Sequence, residues 1–210
     1  MNQIIDFYKE TINKIGIEYT IKYLIIVIGV VLIYMRVIRN FKDAKKQKNN
    51  KNREVKSIVE TASMTGFFIL IYIVVILKLG TYNYHSLILD IISIIIYIIG
   101  TTFNLLGRHY LGHNWGNNVI IYNDHTLVQE GVYKGVRHPL YASIIWMIYA
   151  VGIMCQNYLV IILNTIVFIP FMYYRAKQEE KELIKTFKEY KEYQKRVGMF
   201  FPKLIKKRVK

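Results

Sequence analysis

Long unbroken apolar runs alternate with short, highly charged segments along this chain. Residues 20–38 (TIKYLIIVIGVVLIYMRVI), 61–80 (TASMTGFFILIYIVVILKLG) and 87–106 (LILDIISIIIYIIGTTFNLL) are such runs. Each approaches the ~20 residues that carry a helix across a ~30 Å hydrocarbon core. Lys22 and Arg36 sit near the ends of the first run, where long side chains snorkel to the interface. A fourth apolar stretch, 140–174, is far too long for one crossing at ~1.5 Å per residue. It is broken by Cys155-Gln156-Asn157-Tyr158, which predicts a tight hairpin of two helices, about 140–154 and 159–174, with Pro170 placed to kink the second. Ile and Val also favour strands. Membrane barrels, however, show short alternating segments, and these runs are continuous. The pattern predicts an all-α bundle of about five transmembrane helices. Beyond Tyr174, Leu183, Phe187 and Tyr190 recur at helical spacing between Lys and Glu, predicting an amphipathic cytoplasmic helix from Arg175 to about Val197.

Composition sharpens this picture. Hydrophobic residues make up 53% of the 210, yet 29 Lys/Arg stand against 14 Asp/Glu, a net +15. That combination requires segregation of apolar and charged residues, and it excludes a disordered chain. The basic excess is explained by membrane topology, so no nucleic-acid partner is expected. Segments 36–60, 107–139 and 174–210 hold nine, three and thirteen of the 29 basic residues. Five crossings put all three segments on one side. The positive-inside rule makes that side cytoplasmic and leaves the N-terminus outside. The first run starts late and lacks a small-residue cleavage site, so no cleavable signal peptide is expected. A single cysteine, Cys155, excludes an internal disulfide and a Cys-only metal site.

Two segments on the basic side carry candidate chemistry. Residues 111–141 (LGHNWGNNVIIYNDHTLVQEGVYKGVRHPLY) are rich in Gly, His and aromatics and run into the fourth helix. Pro139 suits the first turn of that helix, where its missing N–H costs nothing. Arg137 and His138 beside the free N–H groups suit a carboxylate or phosphate seat, and suit interfacial anchors equally. In residues 174–202, Glu179-Glu180 follows Arg175 by about one turn. A carboxylate there would bind an amine, a ribose diol or a sulfonium-bearing ligand; the alternative is a solvated face with Arg175/Glu179 pairing at i,i+4. His109 and His113 share i,i+4 spacing but lack a third ligand and a Glu between them, so no metal is expected. Asp90, inside the third run, has no evident partner in the sequence.

Together these segments resemble the isoprenylcysteine carboxyl methyltransferase family of integral membrane enzymes. The resemblance rests on His125-Thr126-Leu127-Val128, Gly131-Val132-Tyr133 and Arg137-His138-Pro139-Leu140-Tyr141 in order. Glu179-Glu180, Leu183, Phe187, Tyr190, Tyr193 and Phe201-Pro202 come after the hairpin. It covers about residues 105–204 and implies methyl transfer from S-adenosyl-L-methionine to a lipid-like acceptor at the cytoplasmic membrane face, most like carboxyl O-methylation of an isoprenylcysteine. By that resemblance His125, Thr126, Leu127, Val128, Tyr133, His138, Pro139, Leu140, Tyr141 and Glu179 hold the cofactor, and Arg175 orients the acceptor carboxylate. A carboxylate acceptor is already ionised at neutral pH and requires no general base. The chain then divides into three N-terminal membrane helices (1–106), with a basic loop at 39–60, and a methyltransferase core (107–210). No motif sets an oligomeric state.

Two positions depart from the family pattern. Ser143 stands where glycine is usual. The Phe187–Tyr190 spacing is one residue short, which turns the downstream helix by about 100°. Two competing readings remain. One is an NADPH-dependent sterol-type membrane reductase, whose Arg-Asp-Glu pattern is replaced here by Gln178-Glu179-Glu180. The other is a non-catalytic membrane module of the same fold.

Overall fold

A computed structural model describes residues 2–46, 51–55, 58–82, 86–114, 119–122 and 126–203, with side chains over 16–42, 63–82, 86–112, 114 and 126–203. The elements in chain order are α1 (Asn2–Lys46), β1 (Lys51–Val55), α2 (Ile58–Ile76), α3 (Leu87–Leu111), β2 (Val119–Tyr122), α4 (Pro139–Met154), α5 (Tyr158–Leu163), α6 (Ile169–Thr186) and α7 (Tyr190–Arg196). Three spans among the described residues are long and apolar enough to cross a membrane: Gly16–Lys42, Leu87–Leu111 and Tyr158–Thr186. Two shorter apolar helices, Ser63–Ile76 and Pro139–Met154, accompany them. The chain is a multi-pass, all-α membrane-helix bundle.

The expected hairpin is present. Cys155–Asn157 turns α4 into α5, and Asn157 fixes the turn from both ends of its amide. Its Oδ1 accepts from Val160 N at 3.1 Å, capping α5, while its Nδ2 donates to Leu79 O at 2.9 Å. A π turn, Asn164–Phe168, joins α5 to α6 just ahead of Pro170. The proline cannot donate to the carbonyl four residues back, and the wider turn absorbs that loss. Asn164 ties the irregular backbone to α4 through Nδ2 on Ile145 O, at 3.1 Å.

Apolar side chains cover the outside of the bundle, while several polar ones are buried between its helices. Ile88, Ile95, Ile98 and Ile166 face outward, whereas Ser93, Asn104, Ser143 and Asn164 are fully buried. Ser143 points into the α3–α4 seam, accepting from Asn104 Nδ2 at 2.9 Å and donating to Leu140 O at 2.8 Å. The extra side chain therefore adds one polar contact between α3 and α4.

Helix α1 meets α3 along Lys22, Ile26, Gly29, Ile33 and Arg36, spaced by threes and fours. Tyr97 OH donates to Ile26 O at 2.8 Å, and a Cβ on Gly29 would come within 2.6 Å of the Tyr97 ring. Lys22 does not snorkel. It is 3% exposed and pairs with Asp90 at 2.8 Å and Glu18 at 2.7 Å. The reason is Asp90 itself, whose carboxylate, buried on α3, supplies the counter-charge the sequence left unassigned. A double-mutant cycle of Lys22→Met and Asp90→Leu, read by unfolding in detergent, should give a coupling of about 1–2 kcal/mol. Strict additivity would mean the pair contributes nothing.

Three features differ from expectation. Helix α1 runs well beyond 20–38 in both directions. A two-stranded antiparallel sheet, β1–β2, pairs Lys51 with Tyr122 and Val55 with Val119, where only loops were expected. The Val-Ile-Ile run of β2 has the β-branched composition that favours extension. The helix predicted over 175–197 is interrupted: Phe187 is extended (φ −116°, ψ 112°), so α6 stops at Thr186 and α7 restarts at Tyr190.

Candidate functional site

The end of α3, the start of α4 and α6 meet at one end of the bundle. His138 is the N-cap residue of α4 and Pro139 opens the helix. The preceding strand-like segment is held from the C-terminal side. Arg137 N donates to Gly198 O at 2.8 Å and His138 N donates to Met199 O at 3.1 Å. A Cβ on Gly198 would lie 1.8 Å from Phe201 O, so this clasp admits glycine alone.

Two consecutive carboxylates reach this clasp, and they part company because neighbours on a helix diverge by about 100°. Glu180 is 2% exposed and turns inward. Its Oε1 receives Arg137 Nε at 2.8 Å and Nη2 at 2.7 Å, and lies 3.2 Å from His138 Nε2. Its Oε2 accepts from Gln194 Nε2 at 2.8 Å. Arg137 Nη1 also donates to the Gln194 and Val197 carbonyls, so one guanidinium staples α4, α6 and α7. Glu179 keeps 27% of its side chain exposed. It accepts from Tyr141 OH and lies 3.4 Å from His138 Nδ1.

Aromatic rings complete the surface. His138 stacks on Tyr141 at 5.6 Å and 5°, with the Phe200 ring set edge-on to His138 at 6.3 Å. Arg175, one turn before Glu179, lies 5.8 Å from the Tyr141 ring centre and donates to Met64 Sδ of α2 at 2.9 Å. Arg175, Tyr141, Glu179 and His138 thus form one contiguous group.

The remaining predicted residues flank it. Tyr133 is buried, donating to Gly107 O at 3.3 Å and accepting from Tyr193 OH at 2.6 Å on its carbonyl. Burial, reinforced by the charges of Tyr193 and Glu179, pushes the Tyr133 phenol well above its usual range. Pro139 and Leu140 pack on α3, both in contact range of a Cβ on Gly107. Asn114 grips Thr126, donating to its hydroxyl at 3.1 Å and accepting from its N–H at 3.3 Å. Leu127 packs with Tyr190, Tyr193 and Val197, and Val128 is half-buried beside it in sequence. His125 lies outside the described residues.

Glu180, Tyr190 and Tyr193, all buried, lie outside the site residues that the family resemblance implies. The adjacent glutamates were the available signal, since a helix turns only one of two neighbours inward. Tyr193 is buried despite the shortened spacing because the break at Phe187 resets the helical phase.

Burial alone would lower the His138 pKa, but its bonds and charges with Glu179 and Glu180 outweigh that and raise it above the ordinary 6.5. A raised folded-state value means stability that is fully present below about pH 6.5 and lost as pH climbs through the folded pKa. The melting temperature in detergent should therefore fall as pH rises above about 6.5, and His138→Gln should flatten that slope. Parallel pH profiles for the two proteins would refute the assignment.

Comparison with known proteins covers this same region. Residues 92–185 match the isoprenylcysteine carboxyl methyltransferase (ICMT) family model. The chain is 30% identical over 129 residues to protein-S-isoprenylcysteine O-methyltransferase of Saccharomyces cerevisiae, covering 60% of this chain and 54% of that protein. It is 38% identical over 74 residues to methanethiol S-methyltransferase of Pseudomonas deceptionensis, covering 35% and 27%. The chain thus spans about half or less of these relatives' length. In fold it is similar to the eukaryotic intramembrane Ras methyltransferase ICMT, with a TM-score of 0.53 at 24% identity over 71% of this chain and 54% of that one. The matched segment takes in the start of α4 and the paired glutamates of α6.

Proposed function

We propose that the protein transfers a methyl group from S-adenosyl-L-methionine to a lipid-like acceptor at a membrane face, most like the carboxyl O-methylation of an isoprenylcysteine. One observation carries the reading: within the family match, Arg175, Tyr141, Glu179 and His138 are assembled into one partly exposed group. The donor set fits the cofactor. A partly exposed carboxylate suits hydroxyl or amine groups, and stacked aromatic faces suit a sulfonium cation.

Glu179, Tyr141, His138 and Tyr133 would hold the adenosyl group, with Pro139 and Leu140 setting the α4 start against α3. Thr126, Leu127 and Val128 would close the side next to α7, and His125 would join them by the family pattern. When bound, S-adenosylmethionine supplies an electrophilic methyl group. Arg175 orients the acceptor carboxylate without a tight grip, because that carboxylate loses charge as it reacts. Positioning and exclusion of water are what the chain contributes.

The two shorter apolar helices support five crossings in all, and the basic segments support a cytoplasmic site face with the N-terminus outside. Residues 1–106 then serve as the membrane scaffold, 107–210 as the catalytic part, and α6–α7 as a tail against the bilayer surface. The test is calorimetric titration of S-adenosylmethionine into detergent-purified protein, with NADPH in parallel and Glu179→Ala and His138→Ala as controls. Micromolar binding of the adenosyl cofactor, lost in both variants, is the expected result. Binding of NADPH instead would make the protein a reductase. Binding of neither by folded protein would make it a non-catalytic module.

A further inference from the structure

The seam between α1 and α3 ends, on the face that carries the site, in a cluster of donors. Asn40 is 3% exposed, and its Nδ2 has no acceptor among the described residues. One turn earlier on the same helix face, the buried Nε of Arg36 likewise has none among them. Arg108, 9% exposed in the last turn of α3, donates through Nε to Asn104 Oδ1 at 2.9 Å and is repelled by the Arg36 charge. Two guanidiniums and an amide therefore lie at this end of the seam, and buried donors left unmatched are costly, more so when charged. An oxyanion would satisfy the unmatched donors of Arg36 and Asn40.

The space below the cluster specifies the kind of anion. An open cleft of about 280 Å³ runs between α1 and α3 toward the membrane interior. Its walls are almost wholly apolar and include Ile25, Ile28, Leu32, Ile98, Thr102 and Leu105. Leu32 is one turn below Arg36, and Leu105 is one turn below Arg108. An apolar slot capped by buried cationic donors has the polarity of an acyl chain beneath a phosphate. Basic pockets between membrane helices bind anionic headgroups in this way.

We propose that Arg36, Asn40 and Arg108 seat the headgroup phosphate of an anionic membrane phospholipid, with one of its acyl chains lying in the α1–α3 cleft. The site is separate from the group around Glu179 and does not depend on the methyltransferase reading. Its second effect is to neutralise the repulsion between Arg36 and Arg108, so that the bound lipid draws α1 onto α3.

The test uses the full chain in detergent, titrated with dioleoylphosphatidylglycerol, dioleoylphosphatidylcholine or oleate. Retention is read by native mass spectrometry and stability by thermal unfolding. Phosphatidylglycerol should be retained at least ten-fold more strongly than phosphatidylcholine and should raise the melting temperature. Arg36→Gln combined with Asn40→Ala should abolish that preference, while Arg39→Gln, on the exposed side of α1, should leave it intact. Leu32→Trp, which fills the cleft without touching the charges, should weaken retention on folded protein even if an arginine variant fails to fold. Equal retention of the two phospholipids would overturn the proposal, as would equal sensitivity to Arg39→Gln, which marks diffuse basic attraction. Preferential retention of oleate over phosphatidylglycerol would also overturn it, since the seat would then serve a fatty acid.

Discussion

Glu180→Ala is expected to destabilise the protein by about 3–5 kcal/mol, the cost of leaving the partner of a buried ion pair uncompensated. The carboxylate it removes is the convergence point of Arg137, His138 and Gln194, which come from the segment before α4, its N-cap and α7. Arg137 would keep its carbonyl contacts with Gln194 and Val197, which stabilise a cation weakly compared with a carboxylate. The loss should be local at first. Limited proteolysis should open residues 187–203 before the membrane helices unfold, because the Arg137–Glu180 pair ties that segment to α4 and α6. Replacing the pair together, Arg137→Met with Glu180→Leu, should cost markedly less than either single change. A loss below about 1 kcal/mol for Glu180→Ala would show that the clasp does not depend on this charge.

Glu179→Ala is expected to do the opposite: little change in stability and a large change in ligand affinity. Its carboxylate is partly exposed, and its contacts are the Tyr141 hydroxyl and the His138 ring. A hydrogen bond involving a charged group is worth about 1.5–3 kcal/mol, so the dissociation constant for S-adenosylmethionine should rise roughly 10–100-fold. Tyr141→Phe, which removes only the hydroxyl that Glu179 accepts from, should weaken binding less. Calorimetric titration reads both. An unchanged affinity on a folded Glu179→Ala protein would remove this residue from the site. The contrast between positions 179 and 180 is the sharper result, because the two side chains are chemically identical and differ only in the direction the helix gives them.

That contrast also explains what the sequence could and could not convey. Unbroken apolar runs made the membrane helices legible, since spanning length depends on composition alone. Pro139 marked the start of α4, and the Cys155–Asn157 break marked the hairpin. The assembly of Arg175, Tyr141, Glu179 and His138 was legible from their spacing within the family pattern. The roles of Glu180 and Arg137 were not, because phase around a helix is decided by which neighbour it packs against. The fate of Lys22 was hidden for a related reason. Its partner Asp90 is 68 positions away, and only the parallel course of α1 and α3 brings the two together. The β1–β2 pairing joins segments that are individually too short to announce themselves.

The α1–α3 seam carries opposite charges at one end and like charges at the other. Mechanically it is a pair of tweezers, clenched at Lys22–Asp90 and sprung at Arg36–Arg108. Thermal splaying of such a device concentrates at the sprung tip, so amide exchange along α1 should quicken steadily from residue 22 toward residue 40. The tip is also where the end of α3 lies beside the start of α4, through Gly107 and Leu140. A lipid seated as proposed would thus stiffen the end of α3 that the start of α4 packs against.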